Sequence, residues 1–194
     1  MLQARLREKK CKACRVLFMP LRPLQKACSP DCARAVAQRV RERAERKTAA
    51  AERKQTRAQL EALKTVPQLL AEADRAFCAF IRARDAGKPC ICCGKTAQSS
   101  SLTGGDWDGG HFRSRGAASH LRYDPRNCHS QLKKCNRRAF DVASYRANLI
   151  ERIGLEAVES LEADNRTHKW TRDELREIRD AYRAKVRELA KAGR

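Results

Sequence analysis

The sequence predicts a mainly α-helical fold with small β elements stapled by bound metal, and three observations predict it. Cysteines fall in close pairs: Cys11 with Cys14, Cys28 with Cys32, and Cys90 with Cys93. Residues 33–64 hold no glycine or proline and are rich in alanine, arginine and glutamate, all good helix formers. Apolar residues in 65–194 recur at helical spacing. Aromatic residues make up only 5% of the 194-residue chain and 34% of residues are charged, so small metal-bound units are a more natural source of stability than one large apolar core.

The first domain expected is 1–33. Two cysteine pairs at this distance, Cys11, Cys14, Cys28 and Cys32, form a closed tetrahedral four-thiolate zinc site. Ser29 and Pro30 read as an N-cap and first helical residue, so a knuckle is followed by a helix carrying the last ligand, the treble-clef pattern. A closed site leaves no position for catalysis.

Residues 34–64 form the next block, a long basic helical connector. Its large apolar residues are sparse (Val36, Val40, Leu60, Leu63) and no sustained heptad appears. It reads equally as a solvated helix or as a basic arm along a polyanion.

The third block is 65–194. Thr65 or Val66 caps a helix with Pro67 in its first turn, and Leu69, Leu70, Ala73, Phe77, Phe80 and Ile81 share a face that Gly87 ends. Cys78 beside that face reads as a buried thiol. Between Cys90 and Asp124 the chain reads as short β structure. Gly104, Gly105, Gly109 and Gly110 supply turns, His111-Phe112 ends one strand, Leu121–Tyr123 returns, and Asp124-Pro125 turns the chain toward Asn127. A helix begins around Cys135. From there the chain reads as helical to the end. One stripe runs Phe140, Tyr145, Leu149, Ile153 and stops near Gly154. Another runs Leu175, Ile178, Tyr182, Val186, Leu189 behind a Thr171/Glu174 capping box. His168 and Trp170 lie in a loop and receive no catalytic role.

The net charge of +20 implies a polyanionic partner, most naturally nucleic acid. No apolar run is long enough to span a bilayer, and the basic N-terminus lacks the apolar stretch of a signal peptide. The expectation is a cytosolic chain, in which ten cysteines argue for metal rather than disulfides.

The segment Cys90–Asn136 carries the most specific pattern. It contains Cys-x-x-Cys-Gly (90–94), Gly-His-Phe (110–112), Leu-Arg-Tyr-Asp-x-x-Asn-x-His-x-Gln (121–131) and Cys135-Asn136. These residues resemble the HNH, or ββα-metal, nucleases. With Cys28-Ser-Pro-Asp-Cys32 they resemble more closely the phage NinG (Rap) recombination proteins, over nearly the whole chain. Endonuclease VII-type resolvases share the same logic. The resemblance implies a metal-dependent endonuclease acting on Holliday junctions and D-loops, from a phage or prophage in a bacterial host, with a ββα-metal unit in the third block. It implies His111 as general base, Asn136 as a ligand of Mg²⁺ or Mn²⁺ through its amide oxygen, Asn127 orienting His111 by a hydrogen bond, and His129 as a metal ligand or phosphate contact.

The resemblance also implies a second structural zinc. Cys90, Cys93 and Cys135 are its natural ligands, but Leu132 stands where the family carries a cysteine. Either Cys128 or His129 supplies the fourth ligand, or the protein supplies three. Gly110 stands where many ββα-metal enzymes have an Asp, leaving Asp106 or Asp108 to reach the cation or simply to make a turn. Arg113, Arg115, Lys133, Lys134, Arg137 and Arg138, with Arg122 and Arg126, are expected to ring the centre and bind phosphates, and His120 reads as incidental or as a phosphate contact. No base-reading helix is evident, so DNA shape is the expected target. Two-strand cutting of a junction implies a dimer, for which residues 33–64 are a candidate surface. The rival reading is a non-catalytic zinc protein that binds DNA or RNA; a sequence-specific restriction-like nuclease is a weaker third.

Overall fold

The computed structural model describes residues 7–96, 105–137 and 141–193. Gly104, Arg138 and Phe140 therefore lie outside the described residues. The chain divides into two units, Met1–Leu63 and Lys64–Arg194.

In the first unit, β1 (Lys9–Lys10) and β2 (Leu17–Phe18) pair antiparallel around a Cys11–Cys14 knuckle. The Arg15 N–H donates to the Cys11 carbonyl at 3.0 Å, and the Cys11 N–H donates to Val16 at 2.9 Å. Ser29 caps α1 (Pro30–Leu63) as expected: its hydroxyl accepts from the Cys32 N–H at 3.2 Å. At 34 residues α1 is about 51 Å long. It buries none of its side chains, which fits its sparse apolar residues.

The second unit is built on α2 (Val66–Arg84), which packs against α6 (Arg172–Ala192). Both start where expected. The Thr65 N–H donates to the Gln68 side chain at 2.9 Å, and the Thr171 N–H donates to Glu174 at 2.7 Å, each within a capping box. Leu69, Ala73, Phe77 and Ile81 of α2 are buried with Leu175 and Tyr182 of α6. Phe77 meets the Tyr182 ring edge-on at 4.9 Å, and the Tyr182 hydroxyl donates to the Tyr123 carbonyl at 2.8 Å.

Also packed on α2 is a hairpin of β3 (Trp107–His111) and β4 (Cys128–Leu132), with Trp107 opposite Leu132 and His111 opposite Cys128. This corrects the expected return strand. Leu121–Tyr123 forms a 3-10 turn (Ser119–Tyr123), because apolar residues two apart fit such a turn as well as a strand. The true return strand hides from hydropathy: His129, Ser130 and Gln131 are polar yet buried. A short α3 (Lys133–Arg137) follows β4 directly, giving strand–strand–helix order.

The helical C-terminal region breaks where expected, near Gly154 and in the loop before Thr171. Gly154, at φ +87°, closes α4 (Val142–Ile153) and starts α5 (Leu155–Ala163); a loop leads to α6. Tyr145 and Leu149 of α4 are buried with Ile91, Leu121, Val158 and Leu161 in a second core, and the Tyr145 hydroxyl donates to the Gly110 carbonyl at 2.8 Å, pinning β3.

Candidate active site and metal centres

Two cysteine groups have their sulfurs within 4.8 Å of one another: Cys11, Cys14, Cys28 and Cys32, and separately Cys90, Cys93 and Cys135. Soft thiolates at that spacing suit zinc. The Cys14 N–H draws the Cys11 thiol down to about 6, as a metal-binding thiolate requires. The second group repeats the first knuckle's geometry. The Gly94 N–H donates to Cys90 at 2.9 Å, the Cys90 N–H donates to Lys95 at 2.9 Å, and Gly94 takes φ +69° where Arg15 takes +64°.

Cys128 and His129, both considered as fourth ligands, stand elsewhere. Cys128 is fully buried beside His111, with its sulfur 3.9 Å from His111 Nδ1. His129 Nδ1 sits 3.1 Å from the Arg84 guanidinium and 3.7 Å from the Asp85 carboxylate, and Nε2 sits 3.2 Å from the Arg126 carbonyl. Cys128 packs into the apolar core with α2 and His129 meets Arg84 at the end of that helix, whereas Cys135 reaches the knuckle only after the chain has entered α3. Cys135→Ser is therefore expected to drop bound zinc from two per chain to one, and Cys128→Ser and His129→Ala to keep both. Metal analysis after gel filtration checks this; loss of a zinc from either of the latter would contradict the arrangement.

A cavity of about 550 Å³ lies between α2, β3 and α3. It is lined by Cys78 and Arg82 from α2, Asp108, Gly109 and His111 from β3, Phe112, Ser114 and Arg115 after it, and Asn136 and Arg137 from α3. His111 Nε2 lies 2.8 Å from the Arg122 carbonyl. A carbonyl accepts only from an N–H, so Nε2 carries the proton and Nδ1 keeps a lone pair. Burial also lowers the His111 pKa, favouring the neutral ring. Arg122 is itself fixed, its Nε donating to Asp74 at 2.8 Å.

The hydrogen bond expected from Asn127 to His111 is replaced by this backbone contact. Asn127, wholly buried, accepts from the Arg113 N–H at 2.8 Å and donates to the Arg113 and Leu121 carbonyls at 3.0 and 3.1 Å. It clamps the loop whose next residue, Arg122, holds His111. Its influence on the imidazole is one step removed.

The Asn136 amide nitrogen donates to Asp108 Oδ2 at 3.2 Å, and Arg137 Nε lies 3.4 Å from the same oxygen. Asp108, not Asp106, thus lines the cavity with Asn136. Hard oxygen donors of this kind suit Mg²⁺ or Mn²⁺. Gly110 has no room for a side chain: a Cβ would lie 1.9 Å from Gln131 Oε1 and 3.0 Å from Gln131 Cβ. Gly110→Ala is expected to destabilise the second unit by roughly 1–3 kcal/mol through overpacking. An unchanged midpoint in chemical denaturation would contradict that.

The expected phosphate ligands divide. Arg115 and Arg137 line the cavity, each beside a carboxylate, Arg115 donating to Asp74 at 2.9 Å and Arg137 lying 3.4 Å from Asp108. Arg113 is occupied instead, donating to the Glu162 carbonyl at 2.7 Å and to Asn165. Lys133 is tied to the Gly105 carbonyl, and Lys134 borders the three-cysteine group. His120 pairs with Asp164 at 2.8 Å. Arg82 and Asp108 complete the cavity. Helical phase could have put Arg82 four residues after Cys78 on one face of α2, but no local motif marked that face as a site.

The family described as Bacteriophage Lambda NinG protein matches residues 3–192. The chain belongs to the NinG family. It is 36% identical over 200 residues to Protein ninG of Salmonella phage P22, covering 96% of each chain. It is 35% identical over 202 residues to Protein ninG of Escherichia phage lambda, covering 97% of this chain and 96% of the relative. Protein ninG of Escherichia phage 933W is 36% identical over 193 residues, with 93% of each covered. No solved structure matches significantly. As in the sequence expectation, this NinG chain has, among its described residues, no helix long and apolar enough to cross a membrane.

Proposed function

We propose that this NinG protein is a metal-dependent endonuclease that nicks branched DNA, with Holliday junctions and D-loops as its substrates, in the cytoplasm of a bacterial host. The observation that carries the reading is one cavity lined both by a histidine of fixed tautomer and by the Asp108 carboxylate with the Asn136 amide hydrogen-bonded to it, flanked by Arg82, Arg115 and Arg137. Strand β3 supplies Asp108 and His111 and helix α3 supplies Asn136 and Arg137, with β4 between them in sequence, the element order of the ββα-metal nucleases.

His111 Nδ1, which rests 3.9 Å from the Cys128 thiol, would exchange that contact for the attacking water and accept its proton. Asp108 and the Asn136 amide oxygen would hold Mg²⁺ or Mn²⁺, which supplies positive charge against the phosphate oxygens and the departing 3′ oxygen. The arginines would seat the backbone phosphates, giving affinity that falls steeply with salt. His129 has no part in this chemistry and serves to hold β4 against α2. A second subunit would bring a second cut.

The test is a labelled four-way junction incubated with the full chain and Mg²⁺, Mn²⁺ or EDTA, beside a linear duplex of matching sequence. Metal-dependent nicks at the junction are expected. Binding without cutting under every metal would favour a non-catalytic zinc protein, and equal cutting of the duplex would remove the structural specificity.

A further inference from the structure

The three-cysteine group lacks a fourth protein ligand. Zinc with thiolate ligands is tetrahedral, and a site with three protein ligands keeps an open position. Among the described residues no fourth Cys, His, Asp or Glu joins Cys90, Cys93 and Cys135 within 4.8 Å. The remaining stretches of the second unit, 97–104 and 138–140, contain none of these residue types. Cys92 packs against the group, but its sulfur points to the Asp141 carbonyl, 3.9 Å away. The Asp141 carboxylate caps α4, accepting from Ala143 and Ser144 N–H at 3.0 and 3.2 Å.

The open side faces space. A cavity of about 360 Å³ is lined by Cys93, Cys135, Leu132, Lys95 and Lys134, and Cys92 borders it too with its sulfur toward the Asp141 carbonyl. Cys90 lies on the inner side, its sulfur accepting the Leu132 N–H at 3.2 Å. Zinc with three thiolates carries one net negative charge, and a fourth thiolate would make it two. The ammonium groups of Lys95 and Lys134 at the cavity wall offset that charge. A cavity of this volume admits a small molecule.

We infer that this centre is an open zinc site whose fourth ligand comes from outside the chain: water at rest, exchanged for a small thiol. In the exchange the zinc–oxygen bond breaks, water leaves, the thiol proton passes to solvent and a zinc–sulfur bond forms, with no change of oxidation state. The inference stands apart from the nuclease reading, since it concerns a different cavity and is read without any cleavage assay.

The test uses the full chain loaded with two Co²⁺ and titrated with 2-mercaptoethanol, following the sulfur-to-cobalt charge-transfer band. The closed N-terminal site contributes a constant background. The second site should gain about one third in band intensity as three sulfurs become four. Leu132→Cys, placed against the three sulfurs, should show the four-sulfur intensity from the start and no response to thiol. Cys92→Ser should behave as wild type. An unresponsive wild type, or a response that persists in Leu132→Cys, would overturn the inference. So would a weakened resting band in Cys92→Ser, which would make Cys92 the ligand, or bleaching with cobalt lost from the protein.

Discussion

His111→Ala is expected to slow metal-dependent nicking of a four-way junction by about 10²–10⁴-fold, the usual contribution of a positioned general base. Junction affinity should stay within about twofold, because the cationic groups lining the cavity are Arg82, Arg115 and Arg137, none of which contacts the imidazole through a hydrogen bond. The pH profile gives a second readout. A general base works when unprotonated, and burial moves the His111 pKa below its ordinary 6.5. Wild-type cleavage should therefore hold through neutral pH and fall only as pH drops below 6.5, about tenfold per unit once the ring is protonated. The residual cleavage of His111→Ala should lack that limb. Cleavage by the variant at the wild-type rate would remove His111 from the mechanism. A parallel loss of rate and affinity would instead indicate a collapsed hairpin, which a denaturation midpoint can detect.

The residues legible in the sequence are those set by local spacing. The four cysteines of the first unit come together as their spacing implies, and Cys135 joins the Cys90/Cys93 knuckle as the family resemblance implies. Helix starts at Ser29, Thr65 and Thr171 follow from side-chain caps within three residues of the backbone they serve. His111 and Asn136 fall in one cavity because a hairpin and the helix leaving it are close in sequence.

What was illegible depends on long-range partners. The His111 tautomer is set by Arg122, and Arg122 by Asp74, 48 residues earlier. Arg113 and Lys133 look like phosphate ligands in a basic run, but backbone carbonyls take their charges. Asn127 was seen to matter through its motif, yet its partner was misassigned, since an amide bonds whichever carbonyl the loop presents. The β4 strand was missed because buried polar residues give no hydropathy signal. The Gln131 amide is buried without a hydrogen-bond partner among the described residues, while Arg84 meets His129 and the Ser130 backbone is held by one residue at α2's end that carries no motif at all.

That residue is Asp85, and Asp85→Ala is expected to destabilise the second unit by about 3–5 kcal/mol at pH 7, the usual cost of breaking a buried ion pair by removing one partner. Its side chain is wholly buried at the C-terminus of α2. Arg84 donates to both carboxylate oxygens, at 2.9 and 2.7 Å, and the Ser130 N–H of β4 donates at 3.0 Å. Lys88 lies at 3.3 Å, His129 at 3.7 Å and Arg152 at 3.9 Å. Truncation would strand the Arg84 charge and the Ser130 N–H inside the protein. Arg84 also donates to the Pro125 and Cys128 carbonyls, at 2.7 and 2.9 Å, so its displacement would loosen β4 opposite His111. Burial alone would raise the Asp85 pKa; His129, Arg84 and the Ser130 N–H outweigh it and hold the carboxyl far below its ordinary 3.8. A carboxylate lowered in the folded state contributes fully above its unfolded value and less as pH falls toward the folded one. The gap between wild type and Asp85→Ala should thus be flat from pH 5 to 8 and narrow below about 3.8. Asp85→Asn, which keeps an acceptor but not the charge, should fall between the two. Denaturant midpoints at pH 7 and 3.5 measure both effects, and a loss under about 1 kcal/mol at pH 7 would show that solvent replaces the carboxylate, leaving the packing of α2 against β4 to hold the hairpin alone.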